Sequence, residues 1–178
     1  MSKALAIDTS TSRTSVAIVQ DGKVVFSGFR DGATAHGPSL PALVQEALAV
    51  SDVDEVVVGM GPGPFTGLRV GIAFAQSFAL ARQIPVRGVC SLDAIAAQIK
   101  EDDFIITVDA RRKEVYWARY TQGVRVGQAG VNFPADLSGA PIHADLFPDM
   151  CSLVNLPGNI TEPIYLRRPD AVATADRP

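Results

Sequence analysis

The chain of 178 residues is 47% hydrophobic and 20% charged, with a formal net charge of −3. That balance excludes a disordered chain and a globally basic nucleic-acid binder, and the length allows one ordinary domain or two small lobes. Two cysteines, Cys90 and Cys151, lie far apart and make neither a disulfide framework nor a metal motif, which fits a reduced compartment.

The opening "MSKALAIDTSTS" has one lysine and an apolar run broken by Asp8, so it reads as a strand and not as a signal peptide. Residues 3–8 and 14–19 read as strands joined by the polar turn "TSTSR". "QDGK" then supplies an Asp-Gly pair for a tight hairpin, and "VVFSGF" continues as a third strand. Past Gly37 and Pro38 the period changes. Leu40, Leu43, Val44, Ala47 and Leu48 recur at helical spacing, which predicts an amphipathic helix over about residues 39–50. "DEVVVGM" reads as a buried strand, and the glycine-rich stretch after it feeds a helix ending near Arg82. "IPVRGVC" is another strand, with Ser91 as the expected N-cap of a helix in "LDAIAAQIK".

The chain then begins again. Asp8 precedes Gly22 by fourteen positions and Asp109 precedes Gly123 by fourteen, each inside a strand, turn, strand, hairpin, strand unit. Repetition of a whole unit points to duplication. The second copy does not finish: after Gly130 only 48 residues remain, and they hold seven of the twelve prolines, which break helices. A complete lobe over residues 1–101 and a truncated one over 102–178 are therefore expected.

A duplicated β-β-β-α-β-α-β-α unit is the plan of the actin, Hsp70 and sugar-kinase superfamily, an α/β fold of ribonuclease H type. In that plan the first hairpin of each lobe grips Mg²⁺ and ATP phosphates, a carboxylate meeting the hydrated metal and hydroxyls meeting phosphate. Asp8, Thr9 and Ser10 occupy this place in the first lobe and Asp109 in the second, although aspartate at a strand end is also a common turn former. The second lobe lacks the helices of an adenosine pocket, and Gly139 and Gly158 stand isolated in it. No independent ATP hydrolysis is expected.

The loop "GMGPGPFTGLR" is not a P-loop, since no Lys-Ser or Lys-Thr follows its glycines, and Thr66 stands where GxGxxG needs its third glycine after Gly61 and Gly63. Pro62 and Pro64 remove two amides that a phosphate cradle would use. It reads as a rigid turn aiming a helix, with Arg69 as the one residue placed to meet an anion. In that helix Gly67, Gly71, Phe74 and Phe78 share a face, Leu68, Ile72, Ala75 and Ala79 share an adjacent one, and Arg69 is the only charge before Arg82. So apolar a helix predicts a protein–protein interface, with Leu40, Leu43, Val44 and Ala47 of the neighbouring helix as its companion surface. His36 and His143 lack ligand spacing and read as turn or surface residues, so no metal site is expected. Arg111, Arg112 and Lys113, like Arg167 and Arg168, read as solvated turns. The longest apolar run, residues 70–81, falls short of the roughly 20 residues that cross a bilayer, and a cytoplasmic location is expected.

Together "ALAIDTSTSRTSVAI", "GPGPFTGLRVGIAFAQSFALA", "CSLDAIA", "VDARRKEVYWARY" and "EPIYLRRPDA" resemble the TsaB family, also called YeaZ, over residues 4–120 and again at 162–171. The resemblance implies a non-catalytic accessory subunit in the synthesis of threonylcarbamoyladenosine, at the adenosine 3′ of the anticodon in ANN-decoding tRNA. It implies a heterodimer with the transferase TsaD through helices 39–50 and 66–82, with TsaE as a third, ATP-hydrolysing partner. ATP, Mg²⁺ and tRNA then enter only through the assembled complex, and a homodimer through the same helices is expected when the partner is absent. TsaD carries paired histidines for a metal, and only His36 lies in the comparable helix entry here. Two departures stand out: Pro64 replaces the usual serine of the family loop, and the helices that usually precede "PIYLR" are cut away. The alternative reading is an enzyme, either an actin-like ATPase or a glycoprotease-like peptidase.

Overall fold

The computed structural model describes residues 2–32 and 34–167, so the end of "EPIYLRRPDA", from Arg168 on, lies outside the described residues. The first sheet is built from β1 (Lys3–Asp8), β2 (Arg13–Gln20), β3 (Lys23–Asp31), β4 (Glu55–Gly59) and β5 (Val86–Val89), in the order β3-β2-β1-β4-β5. β1, β2 and β3 pair antiparallel, while β1–β4 and β4–β5 are parallel. Parallel neighbours need crossovers, which α1 (His36–Val50) and α2 (Phe65–Arg82) supply.

The second sheet contains β6 (Asp103–Asp109), β7 (Val115–Thr121), β8 (Val124–Asn132) and β9 (Ile142–His143), in the order β8-β7-β6-β9. It repeats the first four positions of the first sheet, two antiparallel pairs and then a parallel one, with no fifth strand among the described residues. The duplicated actin-like α/β plan is thus present, complete in one sheet and reduced in the other. Where the first copy places the fifteen residues of α1, the second has only a 3₁₀ turn at Pro134–Asp136. Both hairpins turn on a pair of left-handed residues, Asp21-Gly22 and Gln122-Gly123, which matches the twist of the flanking strands.

Alternation along β1 sorts its side chains to two faces. Leu5 and Ile7 join Val16, Ile18, Val56 and Val58 beneath α1 and α2, the larger core. Ala4 and Ala6 join Ala17, Val19 and Val57 on the opposite face, beneath α4 (Met150–Asn155). A further short helix, α3 (Ser91–Ala96), packs Leu92 and Ile95 against Phe104, Ile106, Ala118 and Tyr120 of the second sheet. Packing therefore crosses the sequence division at residue 101 twice: α3 serves the second sheet and α4 the first. A tail over residues 156–167 straps the two together. Ile160 donates its N–H to the Gly88 carbonyl at 3.1 Å and Ile164 to the Met60 carbonyl at 2.8 Å. Among the described residues no helix is long and apolar enough to cross a membrane.

Candidate functional site

The glycine loop, the turn after β1 and the start of α3 meet at one point. Asp8 ends β1 fully enclosed, 1% exposed. Its Oδ1 accepts from the Ser10 N–H at 2.8 Å and the Ser10 hydroxyl at 2.7 Å, and its Oδ2 accepts from the Ser91 hydroxyl at 2.6 Å. Burial pushes the carboxyl up from its ordinary 3.8, against the lowering effect of these hydrogen bonds. A Cβ on Gly59 would overlap this carboxylate, and one on Gly63 would overlap the backbone of Ser10. The glycines of the loop therefore serve close approach to Asp8 and Ser10. Gly61, at φ +92°, donates its N–H to the Ser91 hydroxyl at 3.2 Å, while its carbonyl accepts from the Ser91 N–H at 2.8 Å. Loop amide and carboxylate alike are engaged with the chain's own groups.

Thr9, the second hairpin residue, is equally occupied. Its hydroxyl donates to the Gly67 carbonyl at 2.7 Å and accepts from the Gly71 N–H at 3.1 Å. An α-helix joins that carbonyl to that amide, so the hydroxyl is inserted into the ladder of α2. A Cβ on Gly67 would lie 2.8 Å from the Thr9 carbonyl oxygen, and one on Gly71 would overlap the Thr9 hydroxyl. The two glycines, expected to admit a partner helix, instead admit the β1–β2 turn of the same chain. Replacing Gly71 with leucine would strike the fold itself and would not report on pairing alone.

A second correction concerns α1. Leu40, Leu43 and Ala47 are 0% exposed and Val44 is 3% exposed, all packed on the sheet, so they offer a partner no surface. An apolar stripe must cover its own sheet before anything else, and α1 has only one. The outward residues of α1 are Gly37, Pro38, Pro41, Ala42, Gln45, Glu46, Ala49 and Val50. On α2, Phe74 and Phe78 are half-buried, their rings stacked with centroids 6.0 Å apart, and Arg82 lies over Phe78. Ala73, Ser77, Leu80 and Ala81 face outward, with Leu80 81% exposed. At the start of the helix Thr66 and Arg69 are exposed, and the Arg69 guanidinium stacks 4.9 Å from the centre of the Phe65 ring.

Sequence reasoning misplaced two further residues. Ser91 is the first residue of α3 with Cys90 as its cap, and its hydroxyl goes to Asp8 instead of capping the helix. His36 is buried at 4% exposure, its Nδ1 2.8 Å from the Thr14 hydroxyl, where burial lowers its pKa and Asp8 pulls the other way. Cys90 lies between β5 and α3 at 1% exposure, and burial with Asp93 nearby raises its thiol to about 11, far from a reactive thiolate. Gly59 was detectable in principle: a glycine ending an otherwise valine-rich strand signals close backbone approach.

Asp109 holds the equivalent position in the second unit under opposite conditions. Its Oδ1 accepts from the Arg111 N–H at 2.8 Å, as Asp8 accepts from Ser10, yet its side chain is 67% exposed. Between the two turns lies a groove of about 80 Å³, lined by Thr11, Ser12, Pro64, Asp109, Arg111 and Phe147 among others. Ligand pockets for molecules the size of a cofactor run to roughly 300–1,000 Å³. Beside the groove, Arg13 is clamped between the rings of Phe29 and Phe147, 3.9 Å from each centroid, and forks onto Asp31.

Comparison with known proteins converges on one family. Residues 31–136 match the family model described as TsaD, tRNA N6-adenosine threonylcarbamoyltransferase. An uncharacterised protein of Mycobacterium tuberculosis is 44% identical over 201 aligned positions, covering 96% of this chain and 94% of that protein. That alignment is longer than the 178 residues here, so the relative carries residues without a counterpart in this chain. The tRNA threonylcarbamoyladenosine biosynthesis protein TsaB of Escherichia coli is 38% identical over 125 residues, covering 65% of this chain and 54% of that protein. The chain thus spans about half the length of the TsaB protein it matches. Among solved structures, a Pseudomonas aeruginosa protein described as similar to the peptidase YeaZ superposes with a TM-score of 0.80 at 28% identity, over 94% of this chain and 100% of that one.

Proposed function

The chain belongs to the TsaB/YeaZ family, and on that premise we propose that it is a non-catalytic partner subunit in the making of threonylcarbamoyladenosine on ANN-decoding tRNA. It pairs with a TsaD-like transferase through the outward faces of α1 and α2. The observation that carries this reading is the composition of those faces. Pro38, Pro41, Ala42, Ala49, Val50, Ala73, Leu80 and Ala81 are exposed, with Phe74 and Phe78 between them. Of the charges at their edges, Glu46 is paired with Arg30 and Arg82 with Asp52. Small and apolar side chains on adjacent helices suit close helix–helix contact and gain little from water.

The enclosure of Asp8 supports the non-catalytic part. A nucleotide hydrolase of this fold needs that carboxylate free for a hydrated cation, and here both its oxygens are taken by Ser10 and Ser91. ATP and Mg²⁺ then belong to the assembled complex, with a TsaE-like ATPase as third member and tRNA held by the whole. Without the transferase, the same helix faces close on each other in a homodimer. The assembly works in the cytoplasm.

The test is reconstitution. A TsaD-like transferase, a TsaE-like ATPase, tRNA, ATP and an activated threonylcarbamoyl donor are combined with and without this chain, and the modified nucleoside is quantified. Product is expected only with the chain present, and the Leu80→Glu variant is expected to remove it while melting like the wild type. Product without the chain, or none with it where a full-length TsaB restores it, overturns the reading.

A further inference from the structure

Residues 110–114 join β6 to β7 through Arg111, Arg112 and Lys113, all three in the left-handed region at φ 65°, 56° and 65°. Residues other than glycine enter that region reluctantly, and a run of them persists only where the surroundings hold it. Here the holding groups are visible. The Ala110 N–H donates to the Glu114 carbonyl at 2.9 Å and the Glu114 N–H to the Arg111 carbonyl at 3.0 Å. Asp109 receives the Arg111 N–H from beneath at 2.8 Å. Arg167, arriving on the tail, donates to the Ala110 carbonyl at 3.0 Å and pairs with Glu114, so the acid at the foot of the turn is matched by a cation from outside it.

The result is a fixed basic knuckle. From Asp109 to Glu114, with Arg167, four cations stand against two acids, in a chain whose net charge is −3. Arg111, Arg112 and Lys113 are all exposed, and Arg111 lines the groove between the two turns. The first unit has Thr9, Ser10, Thr11 and Ser12 in the same place, without a cation.

We propose that this turn grips the sugar–phosphate backbone of tRNA, an inference that rests on the reading of the chain as a subunit of a tRNA-modifying assembly. Guanidinium forks match phosphate oxygens, and a turn already fixed loses less freedom on binding than a flexible one. Such contacts place an RNA without reading its sequence, so the turn orients tRNA and leaves anticodon choice to other surfaces.

The experiment titrates tRNA, at a series of salt concentrations, against the full chain paired with the transferase. The comparison is with a variant carrying Arg111→Gln, Arg112→Gln and Lys113→Gln. Phosphate contacts release counterions, so the variant is expected to bind about tenfold or more weakly at low salt, with the slope of log K against log salt reduced by about 2. A control with equal charge loss elsewhere, Lys3→Gln, Lys23→Gln and Lys100→Gln, is expected to keep the wild-type slope. Unchanged affinity and slope in the first variant overturn the proposal, as does an equal loss in the control. Melting temperature monitors the fold, and if the triple variant does not fold, Lys113→Gln alone is read for its slope change of about 0.7–0.9. The modified-nucleoside assay separates the two readings. Nucleoside formed with wild type, beside an unaltered tRNA titration of the variant, removes the knuckle and keeps the subunit role. The converse pattern removes the subunit role and keeps the knuckle.

Discussion

The two first-hairpin turns began from one pattern and now differ in almost every physical respect. Asp8 and Asp109 each accept the N–H two residues on at 2.8 Å, the same local hydrogen bond at the same place in each unit. Around Asp8 the chain has closed: Gly59 and Gly63 bring the loop onto it, Ser91 takes its second oxygen, and α2 opens its ladder to Thr9. Asp109 stays 67% exposed, its carboxylate 3.8 Å from the Arg111 guanidinium, and Arg111, Arg112 and Lys113 are exposed beside it. The difference shows that covering material decides a turn's role. In the first unit the crossover helices α1 and α2 enclose the turn and make it a core joint; among the described residues the second unit has no helix of that length, and its turn is open and charged.

The strongest way to break this comparison is at Gly63. A methyl there meets the Ser10 backbone, which has nowhere to go, and Gly63→Ala is expected to cost about 3 kcal/mol in urea denaturation. A cost near zero would mean that the loop does not bear on the turn. Next in size is the pair Asp8→Ala and Asp109→Ala. The first leaves the Ser10 N–H and the Ser91 hydroxyl without their acceptor, at about 2 kcal/mol, and the second removes an exposed carboxylate, within about 0.5 kcal/mol. Equal losses would erase the distinction between a buried joint and an open turn.

The smallest effect is a pH dependence. Because the folded Asp8 carboxyl titrates above its ordinary 3.8, the folded state holds the proton to higher pH than the unfolded chain. Its contribution to stability is therefore fully present below that value and is lost as pH rises through the folded pKa. Asp31 and Asp103 run the other way: Arg13 and Arg119 hold them below 3.8, and their contributions fade as pH falls. Asp8→Asn keeps the shape and does not ionise, so its melting temperature should rise relative to wild type as pH climbs above 3.8 through the titration of the folded carboxyl, with the other carboxylates cancelling in the difference. A difference that is flat across that window would show that the Asp8 carboxyl titrates alike in the folded and unfolded chain.

Much of the fold was legible along the chain. Alternation announced the β1–β3 meander, the left-handed Asp-Gly pair its hairpin, and the repeated Asp and Gly spacing the second unit. The proline-rich stretch after Gly130 announced that no helix as long as α1 would follow β8 among the described residues. The candidate site was legible in its members and misread in their roles. Leu40, Leu43, Val44 and Ala47 form the stripe that both a core-facing and a partner-facing helix require, and spacing alone does not distinguish them. Gly67 and Gly71 have the spacing of helix–helix approach, yet their neighbour is Thr9, some sixty residues earlier in the chain. Ser91 has the residue type and place of a cap, but its partner is 83 positions away.

The sequence by itself determined the elements, their order, the duplication and the shortening of its second copy, because hydrophobic period, turn chemistry and proline act within a few residues. Only the tertiary structure decided which Asp is sealed and which is open, and which helix faces stay exposed. Those outcomes depend on what a crossover brings back against a turn dozens of residues away, and close approach in three dimensions leaves only a glycine behind as its trace.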